Sequence, residues 1–175
     1  MASPNQLSSS VQEDGEANFE HDEAISQLEG EPTRRHSAVR IRHPPKTLPN
    51  FIYEPLSFPT SIRILELLPG NKQDYIQCRL YETTFDQKPQ YEALSYIWGD
   101  SADKSQIVCC DGVIDIPSNL RDLLRRIRHP SETRHLWADA ICINQSDKKE
   151  VGHQVGQMSS IYTVAERVII WLGFE

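Results

Sequence analysis

The feature that most constrains the fold is a pair of apolar segments, Leu136 to Ile143 and Val168 to Leu172, separated by a stretch with helical spacing. That stretch opens on Asp147 and Glu150, the Asp-x-x-Glu form of a capping box, and Val151, Val155, Met158, Tyr162 and Ala165 form a stripe along one helix face. A third apolar segment, Ala93 to Trp98, is followed by a helix of its own, in which Leu120, Leu123, Leu124 and Ile127 recur at the i, i+3, i+4, i+7 spacing of a buried face. Two successive strand-helix-strand units predict parallel pairing of the strands near 93, 136 and 168. Parallel neighbours need long connections, and right-twisted strands pack such a connection back onto the sheet with one hand. The segment 136–143 reads as a strand buried on both sides.

Antiparallel hairpins are expected beside this parallel core. Ile62 to Leu67 reads as a strand, Pro69-Gly70-Asn71 as a turn, and Ile76, Cys78 and Leu80 alternate with polar neighbours as a half-buried strand should. Ile107 to Cys110 and Val113 to Ile116 flank Asp111-Gly112, a dipeptide suited to a type I′ turn. Pro117 ends that hairpin, Ser118 is placed to cap the next helix, and Pro130 closes it. Arg121, Arg125, Arg126 and Arg128 fall mostly away from the leucine stripe, as a solvated face or as a docking face for phosphate or an acidic partner. The fold class is α/β with attached hairpins.

Charge divides the chain. Residues 1–31 carry eight acidic side chains and no Lys or Arg, so the net charge of −7 resides there, while residues 32–175 hold 18 basic against 17 acidic groups. A Ser-, Glu- and Pro-rich stretch of this kind cannot bury enough apolar surface to offset its ordering entropy, so residues 1–48 are expected to be a disordered acidic tail and 49–175 the folded domain. Arg34-Arg35-His36-Ser37 in the tail has the form of a basophilic kinase site. The near-neutral domain argues against a nucleic-acid footprint. No stretch approaches the ~20 apolar residues of a membrane span, and the N-terminus lacks the basic start and apolar run of a signal peptide, so a cytoplasmic protein is expected. The four cysteines lack Cys-x-x-Cys spacing and read as buried reduced thiols, and His135 and His153 lie apart from any second ligand, so no metal site is expected.

In open parallel sheets ligands bind beyond the carboxyl ends of the strands. Trp98, Gly99 and Asp100 occupy one such end, and Asn144 and Gln145 occupy another with Asp147 and Glu150 just after. Asp139 stands within an apolar run, where an unpaired carboxylate costs several kcal/mol. It is either a structural organiser, with Arg134 or Arg121 as partner, or a catalytic acid. Asn144 and Gln145 suit an amide or ribose ligand, or a turn closed by their own side chains.

The blocks Tyr91 to Gly99, Asp111-Gly112, Asn119-Leu120, Leu136 to Gln145, Asp147 with Glu150, Gln154-Val155, Met158, Ile161-Tyr162 and Val168 to Gly173 come in an order that resembles the heterokaryon incompatibility (HET) domain of filamentous fungi. The resemblance implies self/non-self recognition and programmed cell death signalling, with protein partners and homo-oligomeric assembly. HET domains look distantly like TIR domains, which implies a TIR-like sheet. Some TIR members cleave the nicotinamide bond of NAD with one glutamate. By that likeness NAD is a candidate substrate, Glu150 the carboxylate that stabilises oxocarbenium-like charge, and Tyr96 or Trp98 the surface for a planar ring. Glu150 at the third helical position is equally where a capping glutamate belongs. Val151 stands where the family usually has Arg, and Ala138 where it usually has Ile. The family domain also normally continues past Trp-Leu-Gly, so the chain is expected to be incomplete at its C-terminus. An assembly module is the first reading and an NAD-cleaving hydrolase the second.

Overall fold

The computed structural model of the 175-residue chain describes residues 48–100 and 102–173. The expected acidic tail, with its kinase-like motif, therefore lies outside the described residues apart from Leu48.

The parallel core is as expected. Strand β3 (Glu92–Tyr96) lies between β6 (Arg134–Trp137) and β7 (Arg167–Trp171), parallel to both. The connections run through α1 (Ser118–Ile127) and α3 (Lys148–Val164). The antiparallel pair β1 (Ser61–Leu67) and β2 (Gln77–Thr84) is joined to this core by antiparallel pairing of β1 with β6. Strand β4 (Lys104–Cys109) runs parallel to β2 and antiparallel to β5 (Gly112–Pro117). The result is one mixed seven-stranded sheet in the order β5-β4-β2-β1-β6-β3-β7.

Its two edges differ. Along β5 the chain entering the domain covers the strand: Val113 donates to the Pro49 carbonyl and Phe51 donates to that of Val113, each at 2.9 Å. A Cβ on Gly112 would come within 2.7 Å of the Phe51 Cα, so glycine is needed there for close approach. This corrects the expected turn, because Gly112 already pairs with Cys109. The loop is Cys110-Asp111, with Cys110 in the left-handed region at φ 51° and exposed rather than buried. At the other edge, no strand among the described residues lies beyond β7.

Three local expectations are corrected. The run 136–143 is not one strand, since β6 ends at Trp137 and a single helical turn, α2 (Asp139–Cys142), follows. Cys142 donates to the Ala138 carbonyl at 2.8 Å. A fully buried turn of helix and a fully buried strand are both unbroken apolar runs, so periodicity alone does not separate them. Ser118 is not the cap of α1 but its first residue, and its hydroxyl donates to Asp103 Oδ1 at 2.6 Å. Arg128 is no part of a solvated face. It is buried, and its guanidinium donates to the carbonyls of Leu68, Pro69, Asp74 and Tyr75 at 2.9–3.2 Å.

The core forms where the apolar faces of β1, β3, β4 and β6 meet Leu120, Leu123 and Leu124 of α1 and Ile161 of α3. Trp137 is fully buried, with Tyr162 edge-on at 5.7 Å between ring centroids. No helix among the described residues is long and apolar enough to cross a membrane.

Candidate functional site

At the carboxyl ends of the parallel strands the chain builds a small polar cluster around Asp139. The residue opens α2 directly beyond β6, and its own carboxylate accepts from the Ala140 amide at 2.8 Å. From the end of β3, the Tyr96 hydroxyl donates to Oδ1 at 2.7 Å and the Trp98 indole N–H to Oδ2 at 3.1 Å. The Gln145 amide donates to the Asp139 carbonyl at 2.9 Å. The partner of Asp139 is therefore neither Arg134 nor Arg121. Arg134 is bonded to Glu92, and Arg121 to Asp122 and Ser105. Burial, then the neighbouring Asp139 charge and hydrogen bond, hold the Tyr96 hydroxyl far above the ordinary phenol range, so Tyr96 remains a donor.

The other strand end in this layer is tied in by Asn119, near the start of α1. Its amide donates to the Ile97 carbonyl at 2.6 Å, and its oxygen accepts from the Trp171 indole at 2.7 Å. Gly99, at φ 75° and with open space where a side-chain methyl would stand, is required by its backbone conformation rather than by crowding. Asp100 serves the loop, accepting from the Ala102 amide at 2.9 Å. The opposite ends of the same strands are joined by Glu92, whose carboxylate accepts from Arg134 and Arg167.

Glu150 does not join the Asp139 cluster. Asp147 caps α3, accepting from the amides of Lys149 and Glu150. The Glu150 side chain completes no capping box and turns instead to β1. Arg63 donates to both its oxygens, at 2.5 and 3.0 Å, and the Asn144 amide donates to Oε1 at 2.7 Å. Only 6% of the Arg63 side chain and 9% of that of Glu150 are exposed. Arg63 also donates to the carbonyls of Glu54 and Cys142 and lies over the Tyr53 ring. Sequence reasoning missed Arg63, although a signal was present. In Ser-Ile-Arg-Ile-Leu-Glu-Leu it shares a strand face with Leu65 and Leu67, so burial, and with it a carboxylate partner, follows from alternation.

Of the residues proposed for a site, Tyr96, Trp98, Asp139 and Gln145 come together. Glu150 lies in the Arg63 cluster together with Asn144, whose amide donates to it while its side chain accepts from the Ser146 amide. Asn144 and Gln145 also line an open groove of about 500 Å³ with Phe51, Tyr53, Lys104 and Asp115. These donors occupy lone pairs of Asp139, so its carboxylate holds Tyr96 and Trp98 in place. Trp98 itself is 46% exposed, so the cluster presents an aromatic surface. Among the described residues no group of three His, Cys, Asp or Glu side chains is arranged to hold a metal ion.

The buried phenols and thiols make stability depend on pH. All six tyrosines, Tyr53, Tyr75, Tyr81, Tyr91, Tyr96 and Tyr162, have raised pKa values, with burial the largest cause in each, and the fully buried Cys142 thiol is pushed up to about 12. The unfolded chain releases these protons from about pH 9 upward while the folded chain keeps them. Their contribution is thus complete below that pH and is lost as pH rises toward about 12. Thermal melts followed by circular dichroism are expected to show a midpoint that falls steadily above about pH 9. A midpoint unchanged across that range would contradict the burial of these groups.

Residues 91–175 match the family model described as heterokaryon incompatibility protein (HET). The chain is 38% identical over 128 residues to heterokaryon incompatibility protein 6, OR allele, of Neurospora crassa, an alignment that covers 65% of this chain and 19% of that protein. The chain thus spans less than a fifth of the length of the curated relative it matches. No solved structure matches it. The matched segment runs from Tyr91, whose hydroxyl donates to the Ile161 carbonyl, through both clusters to the β7 edge. Over residues 91–175 this chain is similar to the heterokaryon incompatibility family.

Proposed function

We propose that this chain acts in heterokaryon incompatibility, for which its Neurospora relative is named, as a self/non-self recognition module, and that it signals by assembling with further copies of itself through the edge at β7, which no strand among the described residues covers. The observation that carries this reading is the character of that edge. Val168 and Ile170 lie on one side of the strand and Leu172 follows its end, with Ile170 69% and Leu172 80% exposed. An uncovered strand with an apolar face is a template for pairing. Two copies of β7 paired antiparallel about Ile169 would set Val168 against Ile170 and Arg167 against Trp171, so no like charges face each other. An isologous contact of this kind is self-complementary.

The polar residues of the family segment support the same reading, because they serve the interior. Tyr96, Trp98, Asn119, Gln145, Glu150 and Tyr162 each bond to another part of the domain. The NAD-cleaving alternative needs a carboxylate free to face a ribose, whereas Glu150 is engaged by Arg63 and the Asn144 amide. Cell growth tests the proposal. Induced expression of the wild-type chain in a filamentous fungus is expected to arrest growth, and Ile170→Lys, at an exposed position, to restore it at equal protein level. Equal arrest by both proteins would overturn the role given to the edge.

A further inference from the structure

The arginine face of α1 is explained neither by the family segment's internal bonds nor by the β7 edge. Arg128 is spent on carbonyls, and Arg121 donates to Asp122 and to the Ser105 hydroxyl. Arg125 and Arg126, with Lys72 from the loop between β1 and β2, make no ion pair among the described residues. Two adjoining clefts of about 300 and 350 Å³ share Arg125 as a wall. One is lined by Tyr75, Ser105, Gln106 and Arg121, the other by Lys72, Asp122 and Arg126. The Nε of Arg125 is buried there without an acceptor. Such a donor is costly to leave unpaired, and an anion in the cleft would satisfy it once the guanidinium turns to meet it.

We propose that this double cleft binds a compact phosphate-bearing small molecule, its phosphates held by Arg125, Arg126 and Lys72 and its uncharged oxygens by Ser105, Gln106 and Tyr75. Four cations face the two clefts against the single lining carboxylate of Asp122, which Arg121 already neutralises; Asp115, whose charge reaches Tyr75, and Asp103, whose charge reaches Arg121, are further negative groups beside them. Last-turn arginines also complement the helix dipole, which accounts for Arg125 and Arg126 as charges. It does not account for the convergence of Lys72 and Tyr75 from the loop between β1 and β2 with Ser105 and Gln106 from β4, nor for the buried Nε. That end of the helix disfavours anions, so selectivity must come from the side chains, and a dianion or polyanion is favoured over a single carboxylate. The cleft volumes suit a pyrophosphate group rather than an acidic peptide.

Inorganic pyrophosphate titrated into the full chain, followed by amide chemical shifts, tests this directly. Saturable shifts are expected at Tyr75, Ser105, Gln106 and residues 121–126, weakening as salt is raised. Arg125→Gln is expected to weaken binding by about tenfold. Arg126→Gln, at an exposed position, provides a second readout that does not depend on tolerance of change at the partly buried Arg125. Shifts that never saturate, or affinity unchanged in both variants, would overturn the proposal.

Discussion

Replacing Arg63 by Ala is expected to cost the fold about 3–5 kcal/mol, the range for breaking a buried ion pair by removing one member. The cost arises from what is left behind. Glu150 would stay almost wholly buried with the Asn144 amide as its remaining partner, and the carbonyls of Glu54 and Cys142 would lose their charged donor. Replacing both partners by apolar residues, Arg63→Met with Glu150→Leu, should recover much of the loss, because no uncompensated charge remains. Urea unfolding of the two proteins measures this. A loss for Arg63→Ala below about 1 kcal/mol, the worth of a surface pair, would show that the two side chains do not hold each other. The same geometry bears on catalysis. Glu150→Gln removes the charge opposite Arg63 and is expected to destabilise by about 1.5–3 kcal/mol, so activity lost in that variant identifies a catalytic carboxylate only at matched stability.

The parts of the fold legible in the sequence are those that repeat locally. The leucines of α1 and the alternation in β2 each report a face directly, and the three parallel strands followed from the lengths of the connections between them. What stayed hidden was set by contacts between distant residues. Tyr96 and Asp139 are 43 positions apart, and Arg63 and Glu150 are 87 apart. Periodicity gave Asp139 a need for a partner without naming it, and the nearest arginines were the wrong choice because Glu92 and Asp122 take them. Asp147 and Glu150 have the spacing of a capping box, and the sequence signal is correct for Asp147 alone. A buried arginine one strand away outcompetes the Asp147 amide for the Glu150 side chain, and that amide bonds to the Asn144 carbonyl instead. Arg128 shows the same limit from the other side. Its position on the helical wheel indicates solvent, yet the loop after β1 folds over it and supplies four carbonyls.

Assembly through β7 has the larger consequence, because a single exposed side chain is expected to decide it. Ile170 touches the core little, so Ile170→Lys should alter monomer stability by no more than about 0.5 kcal/mol. At a paired edge the same change sets a charge into an apolar row, the means by which natural edge strands are kept from pairing. Circular dichroism of the two proteins should therefore coincide while their association differs. The most direct measurement is sedimentation velocity of the chain over a concentration series, wild type beside Ile170→Lys. The account predicts that the wild-type protein moves to dimer or larger species as concentration rises and that Ile170→Lys stays monomeric throughout. A wild-type chain that remains monomeric across the series, or a variant that associates as the wild type does, would contradict it.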